Sequence, residues 1–311
     1  MSRIYTIGET VLDLLFKDNT LQQAVPGGAM LNTAVSLGRL QLPVFLLTEW
    51  GNDVAGSLIR NFLLHNGVDV SFVYEYDQGK TSLALASLDA QGNASYTFYK
   101  DYPPLRMQLE FPHFSSGDIV LFGSFFALDT HVRSKLVELL DRARSEGAFL
   151  IYDPNIRKNH LHQLPKLRPF VEENFSLAHL VRASHEDFMN LFGISDSYEV
   201  FEQVAALGCD HIIMTRGGEE MIFRKPMINT TLAPYPADVI STVGAGDTFN
   251  AGLLFSLHKR GIHTGNYRDL PACEWSDIMA IASAFAANAC ESIENYISES
   301  FALQILNSAN L

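Results

Sequence analysis

Apolar and polar positions change rhythm several times along the chain. Residues 4–7 are a short apolar run that stops at Gly8, and residues 11–16 are apolar again except at Asp13. Asp18-Asn19 is turn chemistry, after which residues 21–25 return as a strand. Behind the Pro26-Gly27-Gly28 break, residues 30–40 take helical spacing, closed by Gly38 and the Leu42-Pro43 break. Residues 44–48 have the continuous apolar character of a buried strand, 55–65 that of a helix ended by Asn66-Gly67, and 68–74 that of an extended segment. Strands alternating with helices in this way predict a parallel sheet with helices on its faces. The alternation returns after Asp118, with strands expected at 119–122, 149–153, 177–182 and 212–215, and helices at 132–146 and 184–192. Segments 221–223 and 228–232 read as a meander, and 249–257, 275–290 and 300–306 as helices.

Residues 81–88 and 94–100 break this scheme. They flank Asp89-Ala90-Gln91-Gly92-Asn93 and predict a hairpin. Leu83 and Leu85 share one face, Ala84, Ala86 and Leu88 the other, while Tyr96 and Phe98 alternate with Thr97 and Tyr99. Both faces are fairly apolar, so neither simply faces water. One is expected to cover a ligand cleft and the other to meet a second subunit. The fold class is therefore α/β: a central, mostly parallel sheet flanked by helices (1–10, 26–80 and 101–311), with a small β lid (11–25 and 81–100).

Composition narrows the partners. A chain of 311 residues, 47% hydrophobic, can bury a large core. Its 22 basic and 35 acidic residues give a formal charge of −13, which repels phosphate backbones and argues against nucleic acid. An anionic small ligand would need local positive groups to hold it against that field. Cys209, Cys273 and Cys290 form no CxxC pair and read as reduced thiols of a cytoplasmic protein. The start shows no signal-peptide pattern, and no apolar run has membrane-spanning length, so no membrane partner is expected.

The stretch Ser241-Thr242-Val243-Gly244-Ala245-Gly246-Asp247 stands ahead of the apolar run 249–257. Small side chains let a ligand approach the backbone, and the N–H groups of a helix start favour an anion there. Asp247 is placed to take a proton from a hydroxyl beside that anion. Alone, the pattern more often marks a turn with an N-capping Asp. Asp13, amid Val11, Leu12, Leu14 and Leu15, needs a partner for its charge or a place at the surface. Gly27-Gly28 with Asn32 suits a polyhydroxylated ligand, or is a plain loop-to-helix junction. Asp153, Asn155 and Arg157 follow a strand's C-terminal end, the edge where open α/β sheets bind ligands; together they suit hydroxyl binding and an anion clamp. Arg216-Gly217-Gly218 repeats the theme after 212–215. His160-Leu161-His162 is a weak metal signal and is expected to be a solvated loop. Gly79-Lys80-Thr81 lacks the first glycine and the helix of a P-loop, and no GxGxxG is present. Small residues over 280–289 leave room for a flat ligand, or for close helix packing.

Gly27-Gly28-Ala29-Met30-Leu31-Asn32-Thr33-Ala34 with Gly38, and Thr242-Val243-Gly244-Ala245-Gly246-Asp247-Thr248-Phe249, resemble the two signatures of the ribokinase-like (PfkB) sugar kinases, in the family's order. Gly8-Glu9 with Asp13, Asp153-Pro154-Asn155 with Arg157, and Tyr96-Thr97-Phe98-Tyr99 are most similar to its fructokinase branch. The resemblance implies phosphoryl transfer from ATP, with magnesium, to a sugar hydroxyl. It makes Asp247 the base and Gly244, Ala245 and Gly246 the anion hole. It gives Asp13, Gly27, Gly28, Asn32, Phe98, Lys100, Asp153, Asn155 and Arg157 to the sugar. Ser184, Thr215, Arg216, Gly217 and Asn288 would hold the nucleotide, and Asp187 the metal. A homodimer joined through the lid is expected. Ser184 and Asp187 replace the family's usual Asn-x-x-Glu. Ser241 stands where many members have an Asp linked to a monovalent cation, which puts potassium dependence in doubt. Lys100 replaces an Arg frequent among fructokinases, which leaves fructose, 2-keto-3-deoxygluconate, ribose, tagatose and a nucleoside open as substrates; an acidic sugar would call on Lys100 or Arg106 as a second cation. A non-catalytic sugar sensor is the alternative outside the class.

Overall fold

The computed structural model describes residues 2–18, 20–88, 94–156 and 158–308. In chain order the elements are β1 (Ile4–Ile7), β2 (Val11–Lys17), β3 (Thr20–Gly27), α1 (Ala29–Arg39), β4 (Val44–Gly51), α2 (Val54–His65), β5 (Val73–Tyr76), β6 (Lys80–Leu88) and β7 (Ala94–Asp101). There follow β8 (Ile119–Gly123), α3 (Arg133–Ser145), β9 (Phe149–Asp153), α4 (Leu164–Leu177), β10 (Leu180–Ser184), α5 (His185–Phe192), α6 (Ser197–Ala206) and β11 (Ile212–Arg216). The chain closes with β12 (Glu219–Lys225), β13 (Ile228–Leu232), α7 (Ala245–Lys259), α8 (Ala272–Cys290) and α9 (Glu299–Asn307).

Nine strands form one sheet in the order β13-β12-β11-β10-β9-β8-β1-β4-β5. All its pairings are parallel except β11–β12 and β12–β13. Both faces are covered, and the strand sequences show why. Along β8, Ile119 and Leu121 join the apolar cluster on one face, while Val120 and Phe122 join that on the other. A strand buried on both sides reads as a continuous apolar run, which is how β8 and β9 read in the sequence. A separate four-stranded sheet, β3-β2-β6-β7, carries the expected hairpin. Its central β2–β6 pair is parallel and the outer pairs are antiparallel. No helix among the described residues is long and apolar enough to cross a membrane.

The structure departs from the sequence pattern in identifiable places. Helices α4 and α6 were not expected. Pro165 sits in the first turn of α4 and Pro169 lies inside it, so both look like breaks; a first-turn Pro gives up an N–H that has no helical partner anyway. The strand expected at 177–182 runs Leu180–Ser184, because Leu177 still belongs to α4. Most of 68–74 is not strand: Asp69 makes an isolated bridge to Phe45, and β5 begins at Val73. Residues 160–162, expected as loop, fall within a 3₁₀ turn, Lys158–Gln163. Most consequential, α7 begins at Ala245 rather than near Phe249. Ala245, Gly246 and Asp247 are therefore the helix's first turn, not a loop ahead of it.

Candidate active site

Parallel strands deliver their C-terminal ends to one edge of the sheet, where β9, β10 and β11 stop beside the start of α7. A cleft of about 650 Å³ opens there, lined by Gly244, Ala245, Gly246 and Asp247 together with the end of β11. Gly244 caps α7 with φ of 82°, and a Cβ on it would fall 2.6 Å from Asn295 Cα. Only glycine meets both demands. Helix N-termini present amides without an i−4 acceptor; that of Ala245 also leans on the Thr242 carbonyl at 3.3 Å.

Asp247 is 4% exposed. Asn32 Nδ2 donates to its Oδ2 at 2.8 Å, and Thr33 Oγ1 donates to its backbone carbonyl at 2.8 Å. The two sequence signatures, far apart in the chain, thus meet directly: α1 holds the first turn of α7. Asn32 was expected to bind ligand hydroxyls, but its amide donor serves Asp247, while its buried Oδ1 has no hydrogen-bond partner.

Asp13 lies against the glycine pair. A Cβ on Gly27 would meet Asp13 Oδ2 at 2.3 Å; one on Gly28, at φ 132°, would meet the Glu9 carbonyl at 2.3 Å. No charged partner faces Asp13 among the described residues, and burial pushes its pKa up to about 6. Lys100 and Tyr102 both donate to Glu9 Oε1. Arg106 is buried, pairs with Glu49, and donates from Nη1 to Asp129 Oδ2 at 2.9 Å. Neither Lys100 nor Arg106 is therefore available as an unpaired cation for an acidic ligand. Phe98 stands half-exposed on β7.

Asp153 is more committed than expected. Its Oδ2 accepts from Arg182 Nη1 at 3.1 Å and from Asn250 Nδ2 at 2.5 Å, and its Oδ1 accepts from the Asn155 amide at 3.1 Å. It is 1% exposed, so it anchors the cleft floor rather than offering an open carboxylate. Asn155, at φ 42°, lines the cleft; Arg157 lies outside the described residues. Ser184 and Asp187 form a reciprocal cap on α5: Ser184 N and Oγ donate to Asp187 Oδ2 at 2.8 and 2.6 Å, and the Asp187 amide returns to Ser184 Oγ. Asp187 Oδ1 accepts from the Ile156 amide at 2.7 Å. Burial, then the neighbouring Asp153 charge, raises the Asp187 pKa against those hydrogen bonds.

Thr215 Oγ1 accepts from Arg182 Nη2 at 2.9 Å, and Arg216 pairs with Glu219 at 3.2 Å. Gly217 has φ of 61°. Asn288 does not reach the cleft: its Oδ1 accepts from the Ser298 amide at 2.9 Å, while Ala286, Ala287 and Cys290 of the same helix form the wall. Ser241 turns its hydroxyl to the Val243 amide, and the amides of Ile240 and Ser241 bond to the Cys290 carbonyl.

Among the described residues no cluster of three or more His, Cys, Asp or Glu could hold a metal by itself. A magnesium ion needs fewer, since it keeps several waters and takes one or two carboxylates plus substrate phosphates. The cleft wall fits that mode. Asp153, Glu186, Asp187, Glu219 and Asp247 line it against Arg182 and Arg216, so a polyphosphate entering it must bring its own cation.

Arg182 and Asn250 join the site without having been expected there. A signal for Arg182 existed: it is the charged residue of the buried run Leu180-Val181-Arg182-Ala183, and a charge in such a run needs a partner.

Comparison with known proteins identifies the family. The sequence pattern described as pfkB family carbohydrate kinase matches residues 1–300. A fructokinase of Vibrio alginolyticus is 26% identical over 293 residues, covering 93% of this chain and 92% of the relative. An aminoimidazole riboside kinase of Salmonella typhimurium is 27% identical over 302 residues, covering 93% and 88%. The crystal structure of fructokinase from Vibrio cholerae O395 in its fructose, ADP and calcium ion bound form shares the fold, with a TM-score of 0.83 at 23% identity over 99% of both chains.

Proposed function

This chain belongs to the pfkB family of carbohydrate kinases and is an ATP-dependent sugar kinase, and from that premise we propose that it is a fructokinase, phosphorylating a neutral sugar. The observation that carries the mechanism is the position of Asp247, in the first turn of α7, at the cleft, and held by Asn32. The sugar hydroxyl gives its proton to the Asp247 carboxylate as its oxygen attacks the γ-phosphorus, and the bond from that phosphorus to the β–γ bridging oxygen breaks. The α7 amides stabilise the negative charge on the moving phosphoryl group. Preset donors of this kind contribute about 3–4 kcal/mol each in a water-excluded site. The remaining demand is alignment of the two reactants. Asp187, which lines the cleft, would hold a magnesium ion arriving with the nucleotide, and that ion would neutralise phosphate charge.

The charges around the lid favour a neutral acceptor over an acidic one. Lys100 and Arg106 are each paired with carboxylates, and Asp13 adds negative charge beside Gly27. A riboside is the second candidate, supported by the 27% identical riboside kinase. We further propose that the enzyme works as a homodimer through the lid, where Leu21, Phe98 and Tyr99 are exposed. Unpaired cysteines and an ATP requirement fit the cytoplasm.

The test is a panel of fructose, ribose, aminoimidazole riboside and 2-keto-3-deoxygluconate with coupled ADP detection. Fructose should give the highest kcat/KM. A preference for the acid sugar would overturn the neutral-acceptor assignment, and a preference for the riboside would select the second candidate. Sugar binding with no turnover of any sugar would leave a sensor.

A further inference from the structure

Arg182 is a cation buried where the transfer chemistry needs one. Its side chain is 8% exposed. Of its five N–H donors, one is given to Asp153 and one to Thr215, and the buried Nε has no partner. The guanidinium carbon lies 5.1 Å from the centre of the Phe249 ring. The group is thus gripped by β9, β11 and α7 at once. A Cβ on Gly246 would come within 3.0 Å of Nη1 and 3.4 Å of Nη2, so the guanidinium presses against the backbone of the α7 first turn. Arg182 also lines the cleft.

Stability gives no reason for this arrangement. A buried ion pair rarely outperforms apolar side chains of the same volume, and a half-satisfied guanidinium is worse still. The unfilled donors have to be matched by something that arrives. An anion against the α7 amides would lie beside them, and a planar fork of donors suits phosphoryl oxygens.

We propose that Arg182 is a phosphoryl-binding catalytic residue of this kinase. With the α7 amides, it donates to the non-bridging oxygens of the phosphoryl group in flight between nucleotide and sugar. The hydroxyl proton goes to Asp247, the new bond joins sugar oxygen to phosphorus, and the electrons of the broken bond leave on ADP. Asp153 and Thr215 are positioning residues that hold the guanidinium beside Gly246, and Asn250 acts through its hydrogen bond to Asp153. The proposal rests on the kinase assignment.

Its test compares wild type with R182Q and R182K in kcat, sugar KM, and the affinity for Mg-ADP with and without aluminium fluoride, a planar mimic of the phosphoryl group. R182Q should lower kcat by ~10²–10³-fold. Its ADP affinity should stay within about threefold, and the tightening by aluminium fluoride should disappear. R182K should fall between, because an ammonium keeps the charge but loses the fork. Should R182Q fail to fold by circular dichroism, R182K decides alone. Wild-type kcat and wild-type fluoride tightening in the folded variants overturn the proposal. So does a loss of ADP affinity as large as the loss of rate, which would make Arg182 a ground-state nucleotide ligand. A wild-type protein that phosphorylates no sugar sinks the kinase assignment and this proposal with it; an active wild type with an indifferent R182K sinks this proposal alone.

Discussion

Asp247 and Asp13 are both acidic and both largely buried, yet their surroundings assign them different work. Asp247 has a hydrogen bond from Asn32 that fixes one carboxylate oxygen and orients the other. Asp247→Asn keeps the shape and removes the base, so kcat should fall by ~10²–10⁴-fold while nucleotide affinity stays within a few-fold. Steady-state kinetics with ADP titration checks this, and near-normal turnover would refute the base assignment. Asp13 has burial without a cation, and its carboxyl is pushed up to about 6 from an ordinary value near 4. The folded state therefore binds this proton more tightly than the unfolded chain does. Stability from this site falls as pH rises from about 4 to about 6, and above that the charge is a standing penalty. Asp13→Asn should raise the melting temperature at pH 7.5, by the equivalent of about 1–3 kcal/mol for one to two pKa units. It should also weaken sugar binding. In the wild type, calorimetric sugar affinity should decline as pH drops below about 6, where Asp13 gains a proton and loses an acceptor site; an affinity flat from pH 8 to 5 would remove Asp13 from the sugar site. The sequence marks both aspartates, each as a charge beside an apolar run or a glycine pair. It does not mark which carboxylates are already taken: Asp153 reads as equally available, and only its bonds to Arg182 and Asn250 show otherwise.

Helix α7 carries the site because α8 and α1 hold it close. At Gly252 an added Cβ would fall 2.7 Å from Ala282 Cα and 2.9 Å from the Phe285 ring. Alanine at a helix interior gains about 1 kcal/mol over glycine in propensity, whereas overpacking against backbone costs about 1–3 kcal/mol. The second effect should win. Gly252→Ala is expected to lower the denaturant midpoint by the equivalent of about 1–2 kcal/mol and to reduce kcat by shifting the first turn. An unchanged midpoint would mean that α8 moves away without strain. At this scale the pattern of apolar positions located α1, α2, α3, α5 and both hairpin strands to within about a residue at each end, and α8 except for its first turn. It failed where polar and proline-bearing sequence forms a helix through packing, as in α4, whose Phe175 and Leu177 are buried against the sheet. It also started α7 late, because Gly244-Ala245-Gly246 looks like loop until the space beside Asn295 and Arg182 is seen to require small residues.

Taken whole, the molecule is acidic, its cleft wall is lined with carboxylates, and its substrate is a polyphosphate. Removing magnesium with excess chelator should therefore abolish turnover, and should weaken nucleotide binding by more than salt screening alone accounts for. Retained ATP affinity in chelator would place the compensating charge on the protein. The lid bears Leu21, Phe98 and Tyr99 at 49%, 48% and 55% exposure. If a second copy covers them, Tyr99→Asp should convert a dimer to a monomer by sedimentation; a wild type that is monomeric and fully active would dispose of the lid interface. The alternating sheet, the separate hairpin and the family were determined by the sequence alone, since periodicity and glycine spacing are local and survive in one dimension. The rest depended on residues that meet only after folding: Asn32 with Asp247 across 215 positions, Asp153 with Asn250 across 97, and Arg182 with Asp153 across 29. A side chain's chemistry at such a site is set by what neutralises or hydrogen-bonds it. Those partners are chosen by the packing of strands and helices, and no spacing rule along the chain encodes them.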